Sequence, residues 1–370
     1  MSGPSPWCEP SASRVRVALV GLGWAGRELW LPLLRDHADF EVVAAVDADP
    51  ASRAAFREAT GLPAHPAVDA LTPTAVDLAV VAVPNYLHAE VAGALLATGI
   101  SVFLEKPVCL TSAQADTLAA AERSGGMLLA GSAARYRGDV AALRRVLPDL
   151  GEIRHVDLGW VRARGVPRAG GWFTQRDKAG GGALFDLGWH LLDTLAHLLG
   201  PVPFTQVIGV TSDDFVNVGA WRAAWRQDEP GADAADVEDT ARGFLVRDDG
   251  VSVALRACWA SHEARDVSSI LVEGTGGAAQ LRCTFGFSPN REPEPVLTLT
   301  REGATTRLAV PAEPIGVEYT RQLDDLAAML ADRGNRGRAI AEARPIVRMI
   351  ENFYASARSA RSLRAVPAYQ

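Results

Sequence analysis

Two stretches of this chain bring together side chains that can move protons. The first, Ser101-Val102-Phe103-Leu104-Glu105-Lys106-Pro107, is a short apolar run that stops at a charged pair and a proline. Lys106 and Lys178 are the only lysines among 37 Lys and Arg residues. A chain that has exchanged nearly every lysine for arginine keeps Lys106 where arginine cannot substitute. A compact ammonium can give or take a proton once burial lowers its pKa; a guanidinium cannot. Pro107 restricts the backbone just beyond it, and Glu105 is placed to pair with it. A plain strand-end ion pair would leave the same residues.

The second stretch is Gly180-Gly181-Gly182-Ala183-Leu184-Phe185-Asp186-Leu187-Gly188-Trp189-His190-Leu191-Leu192-Asp193. On a helix, Asp186 and His190 share one face, which Asp193 and His197 extend. Three arrangements fit. One is a metal pair with His197 as a further ligand. Another is an ion pair capping the helix. The third is an acid/base couple, in which His190 titrates near neutrality and Asp186 orients it or holds substrate. No motif supplies the general base of a metal hydrolase, so no metal is expected. The triple glycine lets backbone or ligand come close.

These groups need elements to carry them. Val15 to Val20 is a β-branched run that stops at Gly21-Leu22-Gly23-Trp24-Ala25-Gly26, and a helical pattern follows through Arg35. Strand, GxGxxG and helix, in that order, make a dinucleotide site. The glycines allow a tight turn and close approach of pyrophosphate, and the helix N-terminus adds partial positive charge. A second strand, Glu41 to Val46, ends at Asp47, where a carboxylate meets the adenosine ribose hydroxyls. A carboxylate there repels a 2′-phosphate, and the nearest arginine is Arg53 on the next helix. The expected cofactor is therefore NAD in preference to NADP.

The alternation continues, with helices over 52–59, 86–97 and 112–123 and strands over 76–83, 100–104 and 127–130. Apolar strands alternating with helices predict a parallel, doubly wound Rossmann sheet. Ligands sit beyond the carboxyl ends of such strands. Two loops arrive there: Pro84-Asn85-Tyr86-Leu87-His88 and Glu105-Lys106-Pro107. His88 either faces a ligand or is a helix-start histidine satisfied by backbone.

After Gly131 the pattern changes. A linking helix over 140–147 is followed by runs of period two at 153–161, 241–246, 251–259, 267–273, 296–300 and 306–310. They predict an α+β domain with a large, mostly antiparallel open sheet. The loop 166–178 holds Trp172, Phe173, Gln175, Arg176 and Lys178, a set that suits sugar binding or an ordinary aromatic-packed loop. The acidic stretch 227–239 reads as a solvated loop, with an amine-bearing substrate as a lesser alternative. Trp221 and Trp225 either pack locally or line a pocket. Segments 319–330 and 342–360 read as packing helices.

Length and composition set the outer limits. At 370 residues the chain can hold two cores. A net charge of −7 argues against a general nucleic-acid binder. No apolar run has the length of a membrane span. Residues 1–13 are polar, lack the features of a signal peptide and are expected to be a disordered lead-in. Cys8, Cys109, Cys258 and Cys283 form no CxxC pair, which fits a reducing cytoplasm. The expected division is 14–133 for the Rossmann domain and 134–339 for the substrate and oligomerisation domain.

Taken together, the order of these motifs resembles the glucose–fructose oxidoreductase / inositol dehydrogenase / rhizopine-catabolism family. The resemblance spans Arg14 to Arg364. It rests on Gly21 to Gly26, Pro84 to His88, Glu105-Lys106-Pro107, Gly180 to Asp193 and the closing Tyr354-Ala355-Ser356-Ala357. It implies that the final helix, 340–364, returns to the Rossmann domain, and that copies form a homodimer or homotetramer through the open sheet. It also implies a cis bond before Pro107. Lys106 and His190 match the family's catalytic pair, and Asp186 its carboxylate. Gly21, Gly23, Trp24, Ala25, Gly26, Asp47, Pro84, Asn85, His88, Glu105 and Lys106 are the expected cofactor contacts. Lys106, Trp172, Arg176, Asp186 and His190 are the expected substrate contacts.

The implied chemistry is hydride transfer between a nicotinamide and a secondary alcohol or ketone of a sugar, nucleotide sugar, aminosugar or cyclitol. The Arg- and Ala-rich composition resembles that of actinobacterial proteins, in which this family serves sugar and aminocyclitol antibiotic pathways. Two rivals share the fold: a cofactor-sensing regulator without catalysis, and a nicotinamide-dependent glycosidase. Retention of Lys106, Asp186 and His190 argues against the regulator.

Overall fold

A computed structural model describes residues 14–224 and 234–364, with side chains to residue 360. The expected lead-in 1–13, Trp225 and the first half of the acidic stretch lie outside the described residues. The first sheet contains β1 (Val15–Val20), β2 (Phe40–Val46), β3 (Ala64–His65), β4 (Leu78–Val81), β5 (Ser101–Leu104) and β6 (Leu128–Ala130). Its order is β3-β2-β1-β4-β5-β6, and every pairing is parallel. This is the doubly wound order, with its switch point between β1 and β4. Both faces are buried, so the strands read as unbroken apolar runs. Ala18, Val20, Ala79 and Val81 face one core, while Val17, Leu19, Leu78 and Val80 face the other. The crossovers run through α1 (Leu31–Asp36), α2 (Pro50–Thr60), α3 (His88–Thr98) and α4 (Ser112–Ser124).

Helix α5 (Gly138–Val146) leads to β7 (Ile153–Val161), α6 (Arg176–Ala179) and α7 (Trp189–Leu199). The remaining strands are β8 (Phe204–Ser212), β9 (Thr240–Arg247), β10 (Ser252–Cys258), β11 (Val267–Gly274), β12 (Gly277–Cys283), β13 (Val296–Arg301) and β14 (Ala304–Leu308). They form one eight-stranded sheet, ordered β14-β13-β12-β11-β7-β10-β9-β8. Among the described residues only β7 and β10 pair in parallel in this sheet. Strands β8 and β12 escape the sequence reading. Strand β12 opens Gly277-Ala278-Ala279, and such small residues give little strand signal.

Two helices close the chain, α8 (Val317–Ala331) and α9 (Arg338–Arg364). Helix α8 puts Leu323 and Leu326 into the core on one face of the first sheet. Helix α9 reaches both sheets. Its Glu351 accepts from the Ser112 amide and hydroxyl at the start of α4. Its Phe353, fully buried, enters a slot over Gly209 of β8 and Gly243 of β9. Those glycines are register partners, and a Cβ on either would lie 2.6 or 2.4 Å from the ring. Burying one such side chain stabilises the fold by roughly 1.5–3 kcal/mol. The opposite face of β8 and β9 exposes Ile208, Val210 and Phe244.

Candidate active site

Strand β5 ends at Leu104, so Glu105 and Lys106 emerge at the carboxyl edge of the first sheet, followed by a cis Lys106–Pro107 bond. The expected side-chain pairing of Glu105 with Lys106 is not what forms. Glu105 Oε1 accepts from Trp30 Nε1 at 2.8 Å, and Oε2 accepts from the Lys106 backbone amide at 3.0 Å. Burial pushes the Glu105 carboxyl up. Glu105 thus shapes the loop beneath Lys106, and the ammonium is left to reach across to the second domain.

There it meets Asp186. Lys106 Nζ donates to Asp186 Oδ1 at 3.0 Å, and Trp259 Nε1 donates to Asp186 Oδ2 at 2.9 Å. Asp186 lies in a π-helical turn, Leu184–Gly188, that runs directly into α7. Such single widened turns recur at functional sites. The turn is held from behind by Glu238, whose Oε1 accepts from Gly182 N at 2.9 Å, Leu184 N at 3.1 Å and the Tyr354 hydroxyl at 2.8 Å. This explains two of the three glycines. A Cβ on Gly181 would lie 1.9 Å from the Tyr354 hydroxyl, and one on Gly182 would lie 1.8 Å from the Glu238 carbonyl oxygen. The close approach is made by the protein itself.

His190 is half-buried, with its ring 5.5 Å from that of Trp160. Burial and the neighbouring Lys106 push it down to about 3, although Asp186 acts in the opposite sense. The expectation that it titrates near neutrality is therefore corrected: the ring is neutral at pH 7. Asp193 does not join it. Asp193 is buried and takes Arg135 instead, with Nε donating to Oδ2 at 3.0 Å. His197 stands in the field of Arg144, Arg135 and Arg338. Among the described residues no three of His, Cys, Asp or Glu gather as metal ligands.

The glycine-rich loop fits a dinucleotide. Gly21 has φ +94°, and a Cβ there would lie 2.6 Å from the Ala82 carbonyl oxygen. A Cβ on Gly26 would lie 2.0 Å from the Gly21 carbonyl oxygen, so both permit close packing of strand, turn and helix. Gly23 differs. Nothing lies within 4 Å of its Cβ position, which leaves its backbone open to a ligand. Trp24 is 54% exposed and edge-on to Phe287 at 5.4 Å, and Ala25 begins the helix. Asp47 ends β2 as expected, with Oδ2 accepting from Leu22 N at 2.7 Å and Oδ1 from Asp49 N at 2.8 Å. Arg53 Nη1 donates to the carbonyls of Asp47 and Ala48, both at 2.8 Å.

Pro84 starts the turn Asn85–Leu87, but Asn85 and His88 use their polar atoms inside the protein. Asn85 Nδ2 donates to Ala179 O at 3.1 Å. His88 is 1% exposed, with Nδ1 2.7 Å from the Pro107 carbonyl and Nε2 2.9 Å from the Val83 carbonyl. Burial pushes it down to about 4. His88 thus takes the backbone-satisfied reading rather than a ligand-facing one, with its ring enclosed between the two ligand-side loops.

Trp172 meets Phe173 edge-on at 5.0 Å, and Phe173 lies 6.0 Å from Trp259, so the aromatic loop packs on the residue that holds Asp186. Arg176 is engaged elsewhere, over the Tyr354 ring at 5.4 Å and 3.7 Å from Glu238. The acidic stretch is corrected where it is described. Glu238 and Asp239 are buried, not solvated, and Asp239 accepts from Phe215 N at 2.6 Å and Val216 N at 2.9 Å. Sequence reasoning missed Trp259, Glu238, Trp160 and the buried Arg162, whose Nη1 lies 3.9 Å from Asp186 Oδ2. No local signal marks them, because each acts across a long sequence separation.

Chemically, Lys106 and His190 can serve an alcohol or ketone oxygen. The ammonium can donate to that oxygen and stabilise negative charge, and the neutral imidazole can accept a hydroxyl proton. Asp186, gripped from both sides, fixes the ammonium. A bound nicotinamide supplies or takes the hydride.

Comparison with known proteins agrees with this fold. The pattern described as "Oxidoreductase family, NAD-binding Rossmann fold" matches residues 15–131, and the "GFO/IDH/MocA C-terminal domain" matches residues 142–280. An Amycolatopsis mediterranei (strain S699) protein with the provisional name UDP-kanosamine synthase oxidoreductase subunit is 84% identical, over 96% of this chain and 99% of its own. The D-glucoside 3-dehydrogenase of Escherichia coli (strain K12) is 29% identical over 64% of this chain and 67% of its own. The crystal structure of GenD2 from gentamicin A biosynthesis, in complex with NAD, has the same fold. Its TM-score is 0.74 at 24% identity, over 97% of this chain and 98% of that one. With both halves of the family pattern matched in order, the chain belongs to the GFO/IDH/MocA family of NAD(P)-dependent oxidoreductases.

Proposed function

We propose that this oxidoreductase acts on a sugar carried by uridine diphosphate, and that it oxidises one ring hydroxyl to a ketone for a partner enzyme to aminate. Lys106, Asp186 and His190 are the catalytic group in this reading. The observation that carries it is the Lys106–Asp186 contact, which joins the carboxyl edge of the nucleotide-binding sheet to the π turn of the second domain. The substrate class follows from the 84% identical relative, whose name gives a UDP-linked aminosugar and calls the protein a subunit. An oxidoreductase can serve the replacement of a hydroxyl by an amine by making the carbonyl that an amination step uses. The oxidoreductase step removes a hydride and a proton, and amination then consumes the ketone. NAD is the favoured cofactor, because the Asp47 carboxylate disfavours a 2′-phosphate and Arg53 is tied to the backbone beside it. A homo-oligomer through the open sheet and a cytoplasmic location complete the proposal. No described helix is long and apolar enough to cross a membrane.

The test follows nicotinamide absorbance with UDP-glucose, offering NAD and NADP separately. A carbonyl trap such as hydroxylamine draws off the ketone, since alcohol oxidation by NAD is uphill. Reduction of NAD that depends on UDP-glucose supports the proposal. Lys106→Ala should abolish that turnover while NAD still binds, as read by calorimetry. Full turnover in Lys106→Ala would sink the site assignment, and activity on free sugars alone would sink the substrate class.

A further inference from the structure

The open face of the second sheet carries two cations side by side. Val210, Arg242 and Arg256 are register partners on β8, β9 and β10, so their side chains share that face. Like charges directly opposite one another on paired strands are destabilising. Arg242 is exposed and Arg256 half-buried, and among the described residues no carboxylate pairs with either. Arg256 Nε is buried and has no hydrogen-bond partner. A buried donor without a partner is costly, and a bound anion relieves that cost. Both guanidiniums line a cavity of about 570 Å³, which is the size of a small-molecule site. Ser212, Phe215 and His262 line it as well, the two rings edge-on at 6.3 Å. So do Asp214 and Glu263, both exposed. The cavity lies on the far side of the sheet from the catalytic group. Cys258 and Ala260 line it, whereas Trp259 between them turns to the other face and donates to Asp186.

We propose that Arg242 and Arg256 form an anion site that takes a phosphate or diphosphate group, free or as the ester of a small molecule. A guanidinium is a planar fork that matches phosphate oxygens two at a time. An anion shared by both forks replaces their mutual repulsion with attraction. It also gives Arg256 Nε an acceptor, and the Ser212 hydroxyl can donate beside it. The volume exceeds that of a single phosphate. It leaves room for the organic part of an ester, to which the Phe215 and His262 rings offer flat surface. The proposal concerns binding alone and does not rest on the reading of Lys106, Asp186 and His190. The cavity shares Val210 with the exposed apolar patch of Ile208 and Phe244, so a second copy covering that patch is the competing occupant.

Calorimetry on the full chain tests this at constant ionic strength, with saturating NAD present so that the dinucleotide loop is filled. Inorganic phosphate and pyrophosphate are titrated first, then glucose 1-phosphate and UDP. Pyrophosphate should bind, and its affinity should fall by about tenfold or more in Arg242→Met and in Arg256→Met. Arg256→Lys keeps the charge but loses the planar fork, and should lie between. NAD binding should be unchanged in all three. An ester that binds tighter than inorganic phosphate identifies the ligand as a phosphorylated metabolite, and equal binding identifies the free anion. Either result supports the site when both arginines are needed for it. Unchanged affinity in both methionine variants overturns the proposal, as does an absence of binding to the wild type. Binding that appears only in Phe244→Glu overturns it too, because a second copy then fills the cavity in the native protein. If Arg256→Met does not fold, Arg256→Gln is read in the same way.

Discussion

His88 and His190 are both held neutral, but for different ends. His190 stays accessible beside Lys106, whereas His88 is enclosed and spans the carbonyls of Val83 and Pro107. A neutral imidazole has one N–H, so it donates to one of these carbonyls only. Its folded pKa of about 4 lies below the ordinary 6.5. The unfolded chain therefore binds more protons than the native one below that ordinary value, and stability falls as pH falls through the window between them. His88 alone should cost about 2 kcal/mol between pH 7 and pH 5. Urea denaturation at the two pH values should show a lower midpoint at pH 5, with a smaller difference in His88→Gln. An equal difference in both proteins would place the pH dependence elsewhere.

At the scale of elements, the last helix bridges the two sheets, and one aromatic side chain sets its depth. Gly209 and Gly243 form the slot for Phe353, and Ser356 accepts from the Gly209 amide at 3.1 Å. Gly209→Ala puts a methyl where the ring lies, and close-packed cores absorb such an addition poorly. The expected loss is about 1–3 kcal/mol in chemical denaturation. Phe353→Leu in the same chain should recover part of it, since the smaller side chain vacates the contact. Without such recovery, the slot is not what limits the helix. Helix α9 also carries Tyr354 to Glu238, so a shift of this helix reaches the turn that holds Asp186.

For the whole molecule, the main asymmetry is the open face of the eight-stranded sheet. Ile208 is 65% exposed and Phe244 47%, and they face each other in register across β8 and β9. Together with Val210 they form an apolar patch that a second copy can cover. Phe244→Glu should convert an oligomer into monomers in light scattering, with NAD binding retained because the dinucleotide loop lies in the other domain. An unchanged mass would remove this face from the assembly.

What the sequence determined by itself is what depends on local spacing. The Gly21 to Gly26 turn, the strand ending at Asp47 and the alternation of apolar strands and helices each carry their own signature, so the parallel sheet was legible. The period-two runs announced the second sheet, although the small residues of β12 hid one strand. Lys106 stood out through composition, and Asp186 and His190 through helical spacing. Tertiary structure alone decided which group each of them meets. Glu105 turned away from the Lys106 ammonium, and Asp186 took it up from a distance of 80 residues. Glu238 and Asp239 sit in an acidic stretch that reads as solvent-facing, yet they are buried, because backbone amides from other segments offer them donors. Trp259 and Arg162 were invisible for the same reason. A residue's spacing is written in its neighbours, but its dielectric surroundings and hydrogen-bond partners come from chain brought close only by folding.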